Sequence, residues 1–139
     1  MKLQALDGAV VLVARVLVAL VFIYDATQLV RSPAGSTAYM TQFGVPAILL
    51  FPTALFEFAG GLMLIAGLAM RPAALAFAGF CLLTAGIFHH DLAKAGEAIQ
   101  FGKDIGLAGG FLCLYLQGAG AFSLDGALHR ARPSRVQPG

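Results

Sequence analysis

Residues 46–70 read PAILLFPTALFEFAGGLMLIAGLAM, twenty-five consecutive positions with a single ionisable side chain, Glu57. Wound as a helix at about 1.5 Å per residue, such a run exceeds the roughly 30 Å hydrocarbon core of a bilayer. It does not alternate polar with apolar as a barrel strand would, and hydrocarbon offers no partner to a free backbone N–H or C=O, so a helix is the expected form. Three more stretches share this character, Gly8 to Val30, Pro72 to Phe88 and Ile105 to Phe122. The expected fold class is all-α, a polytopic membrane protein built as a four-transmembrane-helix bundle.

Composition agrees with that reading. Of 139 residues, 59% are hydrophobic and 12% charged, against roughly a quarter charged in soluble domains. A water-soluble globule is excluded. The 17 glycines lie among Leu, Ala, Val and Phe, which also excludes a flexible linker protein. The length leaves room for one domain, residues 1–128, followed by an expected disordered basic cytoplasmic tail, residues 129–139, carrying Arg130, Arg132 and Arg135. The net charge of +2 comes without a basic run interleaved with aromatics, so nucleic acid is not an expected partner. Cys81 and Cys113 lack Cys-x-x-Cys or Cys/His spacing, which argues against a disulfide framework or a zinc site. Their similar estimated depths leave a redox dithiol geometrically open.

The first apolar stretch is longer than a signal-peptide core and no small-x-small cleavage site follows it, so it reads as a retained helix. The second and third stretches are separated by Arg71 and Pro72, which predicts a tight turn with Pro at the first helical position and an antiparallel hairpin. Pro52 predicts a local bend. Lys2, Arg71, Arg130, Arg132 and Arg135 fall on one side and Arg31, Lys94 and Lys103 on the other, so both termini are expected to face the cytoplasm. Each outer connection is read as a short interfacial helix. One runs from Ser32-Pro33 through Tyr39, Met40 and Phe43 to Gly44; the other, Asp91 to Lys103, sets Leu92, Ala95 and Ile99 near one face. Small residues let helix backbones approach in lipid. Gly102, Gly106 and Gly110, Gly60 with Gly67, and Gly79 with Gly86 are therefore expected at helix contacts or at a homo-oligomer interface.

Arg15, Asp25 and Glu57 are the charges placed inside spans. A charge at the centre of a spanning helix costs roughly 2.5–3.5 kcal/mol on insertion scales, so these residues are expected to face the bundle interior and to pair. By helical rise, Arg15 lies roughly 10 Å and Glu57 roughly 20 Å above the same boundary, a gap that a long side chain closes, and an Arg15–Glu57 ion pair is expected. The same ruler gathers Asp25, Gln28, His89, Lys103 and Asp104 near the outer end, where with Glu57 they predict an outward-opening polar pocket. His89, His90 and Asp91 are adjacent, and neighbours on a helix point about 100° apart, so no shared metal ion is expected.

Val13-Ala14-Arg15-Val16-Leu17, Ser32-Pro33-Ala34-Gly35, Phe43-Gly44-Val45-Pro46, Glu57-Phe58-Ala59-Gly60-Gly61, Gln100-Phe101-Gly102-Lys103-Asp104 and Ser123-Leu124-Asp125 occur in an order that resembles the DoxX family of small bacterial membrane proteins. The resemblance covers about residues 8–128. It implies a four-helix inner-membrane protein, tied in some members to quinone-linked oxidation of sulfur compounds or to redox-stress complexes. It carries the first-span Arg to Arg15, the Glu before a glycine pair to Glu57 and the fourth-span Lys to Lys103. Gln28 stands where relatives often have Lys, and Asp104 where they often have Asn, which alters the charge of any site there.

The functional expectation is a membrane subunit of a quinone-linked or redox-stress oxidoreductase system, with Glu57 relaying protons and Arg15 stabilising an anionic form. No haem, flavin or iron–sulfur motif occurs, so a diffusible quinone or a partner subunit would carry electrons. The alternatives are a non-catalytic assembly or stabilising subunit of a larger membrane complex, or a small solute transporter.

Overall fold

The computed structural model describes residues 2–131, with side chains described from Leu6 onward. Six α-helices follow one another among these residues: α1 (Lys2–Arg31), α2 (Pro33–Gln42), α3 (Leu50–Ala66), α4 (Met70–Phe88), α5 (Ala95–Gln117) and α6 (Leu124–Ala131). Three helical stretches are long and apolar enough to cross a membrane, Leu6–Arg31, Ala47–Ala66 and Met70–Phe88. The chain is built inside out relative to a soluble protein. Arg15 and Glu57 are 1% and 2% exposed, whereas Leu17, Leu55, Leu83 and Leu116 are more than half exposed. An apolar exterior of this kind suits lipid as its solvent.

The helices are arranged as two antiparallel pairs, α1 with α3 and α4 with α5. The α3–α4 hairpin expected from sequence is present in the chain path but is not the main packing unit. Its backbones approach each other at few points because phenylalanines fill the space between the pairs. Phe77 is the hub, with ring centroids 4.6 Å from Phe22, 4.8 Å from Phe56 and 5.2 Å from Phe111. These rings divide the interior into two ends, an Arg71 end and a His89 end.

Four local expectations are corrected. The turn between α3 and α4 lies at residues 67–69, earlier than Arg71-Pro72, because α3 stops in a Schellman motif: Gly67 adopts φ +66°, its N–H reaches Leu64 O and the N–H of Leu68 reaches Met63 O. Pro72 is thereby the third residue of α4. Pro52 produces no bend inside a span; a 3₁₀ turn, Ala47–Leu49, precedes α3, and Pro52 sits in the first turn of α3, where a backbone donor is not needed. The helical segment expected at Asp91 to Lys103 is not separate, since from Ala95 it continues without a break into α5. The basic tail expected at residues 129–139 begins as the last turn of α6, and residues 132–139 lie outside the described residues.

The glycines divide by role. A Cβ at Gly60 would lie 2.6 Å from the Phe77 ring and one at Gly61 2.7 Å from Ile23, so these two let α3 approach its neighbours. Gly79, Gly86, Gly102, Gly106 and Gly110, expected at helix contacts, instead face open space.

Candidate functional site

The two buried charges sit at opposite ends. A helical side chain leans toward the N-terminus of its own helix. On the antiparallel helices α1 and α3 that rule carries Arg15 toward the Arg71 end and Glu57 toward the His89 end, so the expected ion pair does not form. Arg15 instead donates through Nη1 to Ala119 O and through Nη2 to Phe122 O at 2.7 Å and Ile65 O at 3.2 Å. Ile65 O is one of the last-turn carbonyls of α3 that the Schellman bonds leave unpaired, and a guanidinium suits that negative end of the helix.

Asp125 completes this end. Its carboxylate accepts the N–H groups of Ala69 and Met70, each at 2.9 Å, while its own N–H donates to Gly67 O at 3.1 Å. A carboxylate from the start of α6 therefore caps α4 across the chain. Ser123 Oγ donates to Gly120 O at 2.6 Å and accepts the N–H of Gly126 at 3.0 Å. Arg15, Gly67, Ser123 and Asp125 form one lock joining α1, the α3–α4 turn and the segment after α5. Its partners are backbone groups, as in a structural anchor.

The other end is hollow. A cavity of about 810 Å³ opens there. From α1 it receives Phe22, Asp25 and Gln28; from α2, Ser36, Tyr39 and Met40; from α3, Thr53 and Glu57. From α4 come Phe80, Thr84, Phe88 and His89, and from α5 Gln100, Asp104 and Leu107. Asp25, Gln28, Glu57, His89 and Asp104, five of the residues expected at an outer polar pocket, thus share one wall. Lys103 does not join them. It is exposed and donates to Gln100 Oε1 at 2.9 Å.

The polar groups come in small sets. The Asp25 and Glu57 carboxyls adjoin across the α1–α3 interface, and Glu57 Oε2 is buried with no hydrogen-bond partner. Thr84 Oγ1 lies 3.3 Å from Asp104 Oδ2. At the mouth, His89 Nδ1 donates to Glu97 Oε2 across 2.8 Å. Beside it Tyr39, Phe43 and Phe88 cluster, with Tyr39 stacked on Phe88 at 5.5 Å and Phe43 at 5.3 Å from Phe88. Burial, with Glu97 nearby, pushes the Tyr39 hydroxyl above its usual range, so this residue meets the cavity as a neutral donor. Outside the mouth Asp91 and Lys94 pair at 2.9 Å. Their hydrogen bond holds Asp91 below and Lys94 above the usual ranges.

Among the described residues no three His, Cys, Asp or Glu side chains gather closely enough to hold a metal ion. Cys81 is buried and Cys113 exposed, and neither is joined in a disulfide.

Thr84, Gln100 and Tyr39 belong to this wall and were not expected there. Thr84 had a signal, a hydroxyl within an otherwise apolar span. The capping role of Asp125 had none, because its partners are backbone groups 55 and 56 residues away.

Comparison with known proteins places this architecture. A family model described as DoxX matches residues 10–90. The chain is 39% identical over 128 residues to inner membrane protein YqjF of Escherichia coli strain K12, a match covering 92% of this chain and 98% of that protein. It is 34% identical over 121 residues to inner membrane protein YphA of the same strain, covering 82% and 86%. No solved structure matches.

Proposed function

The chain belongs to the DoxX family, and from that membership we propose that it is a multi-pass inner-membrane protein whose cavity binds a quinol for an oxidoreductase system. The observation that carries the proposal is Glu57: a carboxyl 2% exposed, one oxygen unpartnered, beside Asp25 on the wall of a cavity of about 810 Å³. A carboxyl at such depth is costly to keep, which marks it as a functional residue, and a cavity of this size suits a ring-bearing small molecule.

Oxidising a quinol to a quinone releases two protons and two electrons. The carboxyls of Asp25, Glu57 and Asp104 can hydrogen-bond the quinol hydroxyls, those that are ionised can take up the released protons, and His89 with Glu97 offers a relay at the mouth. Electrons would pass to a redox centre of a partner subunit. Among the described residues no Lys or Arg lines the cavity, so the arrangement favours a neutral proton donor over an anion. Arg15 has no part in this chemistry; its hydrogen-bonding places it in the lock.

In the bilayer α5 is the fourth span. Its 23 residues reach about 34 Å as a helix, it runs along α4, and its charges Glu97, Lys103 and Asp104 lie in its first half, toward the His89 end. Helix α2 lies at the outer interface. The excess of Lys and Arg at the Arg71 end supports cytoplasmic termini.

A second reading, an assembly subunit, is favoured by one observation: Gly102, Gly106 and Gly110 on α5 face open space, which would let another helix approach.

Purification from native membranes in mild detergent tests the proposal. Wild type should carry quinone and a redox partner, and Glu57→Gln should keep the partner and lose the quinone. Absence of quinone from wild type, or its full retention by the variant, would overturn it.

A further inference from the structure

A second hollow opens on the side of the bundle. An apolar groove of about 430 Å³ runs between α3 and α4, walled by Pro52 and Phe56 on one side and Leu75, Ala76 and Gly79 on the other. It exists because the two helix pairs meet through phenylalanines and not through close backbone contact. Thr53, Phe80 and Leu83 line both this groove and the cavity, so the two spaces meet at those three side chains.

We propose that this groove holds the hydrocarbon tail of the cavity's ligand and is the route by which that ligand arrives from the bilayer. The inference rests on the cavity being a ligand site, and it names the ligand class: a neutral polar ring carrying one long chain. The choice of occupant follows from charge and shape. A groove with apolar walls, set among lipid-facing side chains, suits hydrocarbon. The cavity it joins is lined by Asp25, Glu57 and Asp104 and, among the described residues, by no Lys or Arg, which leaves the phosphate of an anionic phospholipid without a counter-charge. A ring whose hydroxyls donate hydrogen bonds to those carboxyls, with an isoprenoid chain lying outward, satisfies both ends.

The groove need not attract the tail, because lipid is as apolar as the groove. Its role is to let the tail out. A ring seated beside Glu57 drags a chain that must leave somewhere, and the groove, which shares Thr53, Phe80 and Leu83 with the cavity, is an apolar way out.

Gly79 allows a selective test, since a Cβ built there meets nothing within 4 Å. A leucine at this position starts from an unobstructed Cβ on the groove wall and reduces the space in the groove. Binding of tetramethylbenzoquinol, which has no tail, and of a quinol with a ten-carbon tail would be measured in lipid nanodiscs for wild type, Gly79→Leu and the control Gly109→Leu, another open glycine outside both hollows. Gly79→Leu should weaken the tailed quinol about ten-fold or more while leaving the tail-less one within about two-fold, and Gly109→Leu should change neither. Equal weakening of both quinols, or of neither, overturns the groove and leaves the cavity standing. Failure of wild type to bind the tail-less quinol overturns both.

Discussion

A side chain on a helix leans toward that helix's N-terminus, and this decides what Arg15 and Glu57 do. Sequence placed both inside the bundle, correctly, because the cost of a charge in lipid depends on residue type and depth. It paired them wrongly, because depth along an axis omits direction. Backbone carbonyls take the two terminal nitrogens of Arg15 instead, and they are invisible in a sequence of side chains. The lock built around Arg15 makes a test at single residues. Gly67 has φ +66°, and a Cβ there would lie 2.3 Å from Arg15 Nη1 and 2.5 Å from Ser123 Cβ. Gly67→Ala should lower stability by about 2–4 kcal/mol, from the left-handed backbone and the displaced guanidinium together. Asp125→Ala strands the N–H groups of Ala69 and Met70 and should cost about 1–3 kcal/mol. Both are read as shifts of the unfolding midpoint in detergent, and a midpoint unchanged in either would contradict the lock.

At the scale of elements, apolar length located α1, α3 and α4, but of α5 (Ala95–Gln117) it found only the second half and ran on to Phe122, past the helix end at Gln117; turn chemistry located helix ends less well. The α3–α4 turn escaped because a Schellman stop at Gly67 and a cap from Asp125 act before Arg71-Pro72. The continuity of α5 escaped because Glu97, Lys103 and Asp104 make its first half read as a surface helix, although those residues sit at the cavity mouth, on the exterior and on the cavity wall. Glycine spacing marked a contact within the chain on α3, whereas the glycines it marked on α4 and α5 make none within the chain. Gly60→Ala should destabilise, because its Cβ would enter the Phe77 ring at 2.6 Å, and that ring is packed against Phe22, Phe56 and Phe111. Gly106→Ala should be neutral or stabilising by up to about 1 kcal/mol, since it meets nothing and improves helix propensity. Thermal unfolding of the two variants side by side checks the division. Equal loss in both would contradict it.

For the whole molecule, phenylalanines separate a backbone-held lock from a carboxyl-lined cavity, so one end supplies rigidity and the other is free to bind. The class, the membrane character and five of the pocket residues were legible because a few charges stand out against apolar spans. The aromatic cluster beside the cavity's mouth and its side groove were not, since both arise from packing between segments distant in sequence. The proposed orientation makes one prediction at this scale. In a chain with Cys81 and Cys113 replaced by Ala, a membrane-impermeant maleimide applied to intact cells stripped of their outer membrane should label Lys94→Cys and spare Arg71→Cys; the reverse pattern would contradict cytoplasmic termini. The central claim is that the Asp25–Glu57 carboxyls receive the ligand. Infrared difference spectroscopy on adding tetramethylbenzoquinol addresses it most directly. The account predicts a carboxyl C=O band that changes in wild type and disappears from the difference spectrum of Glu57→Gln and of Asp25→Asn. A spectrum with no carboxyl change on binding, or one that persists in both variants, would contradict it.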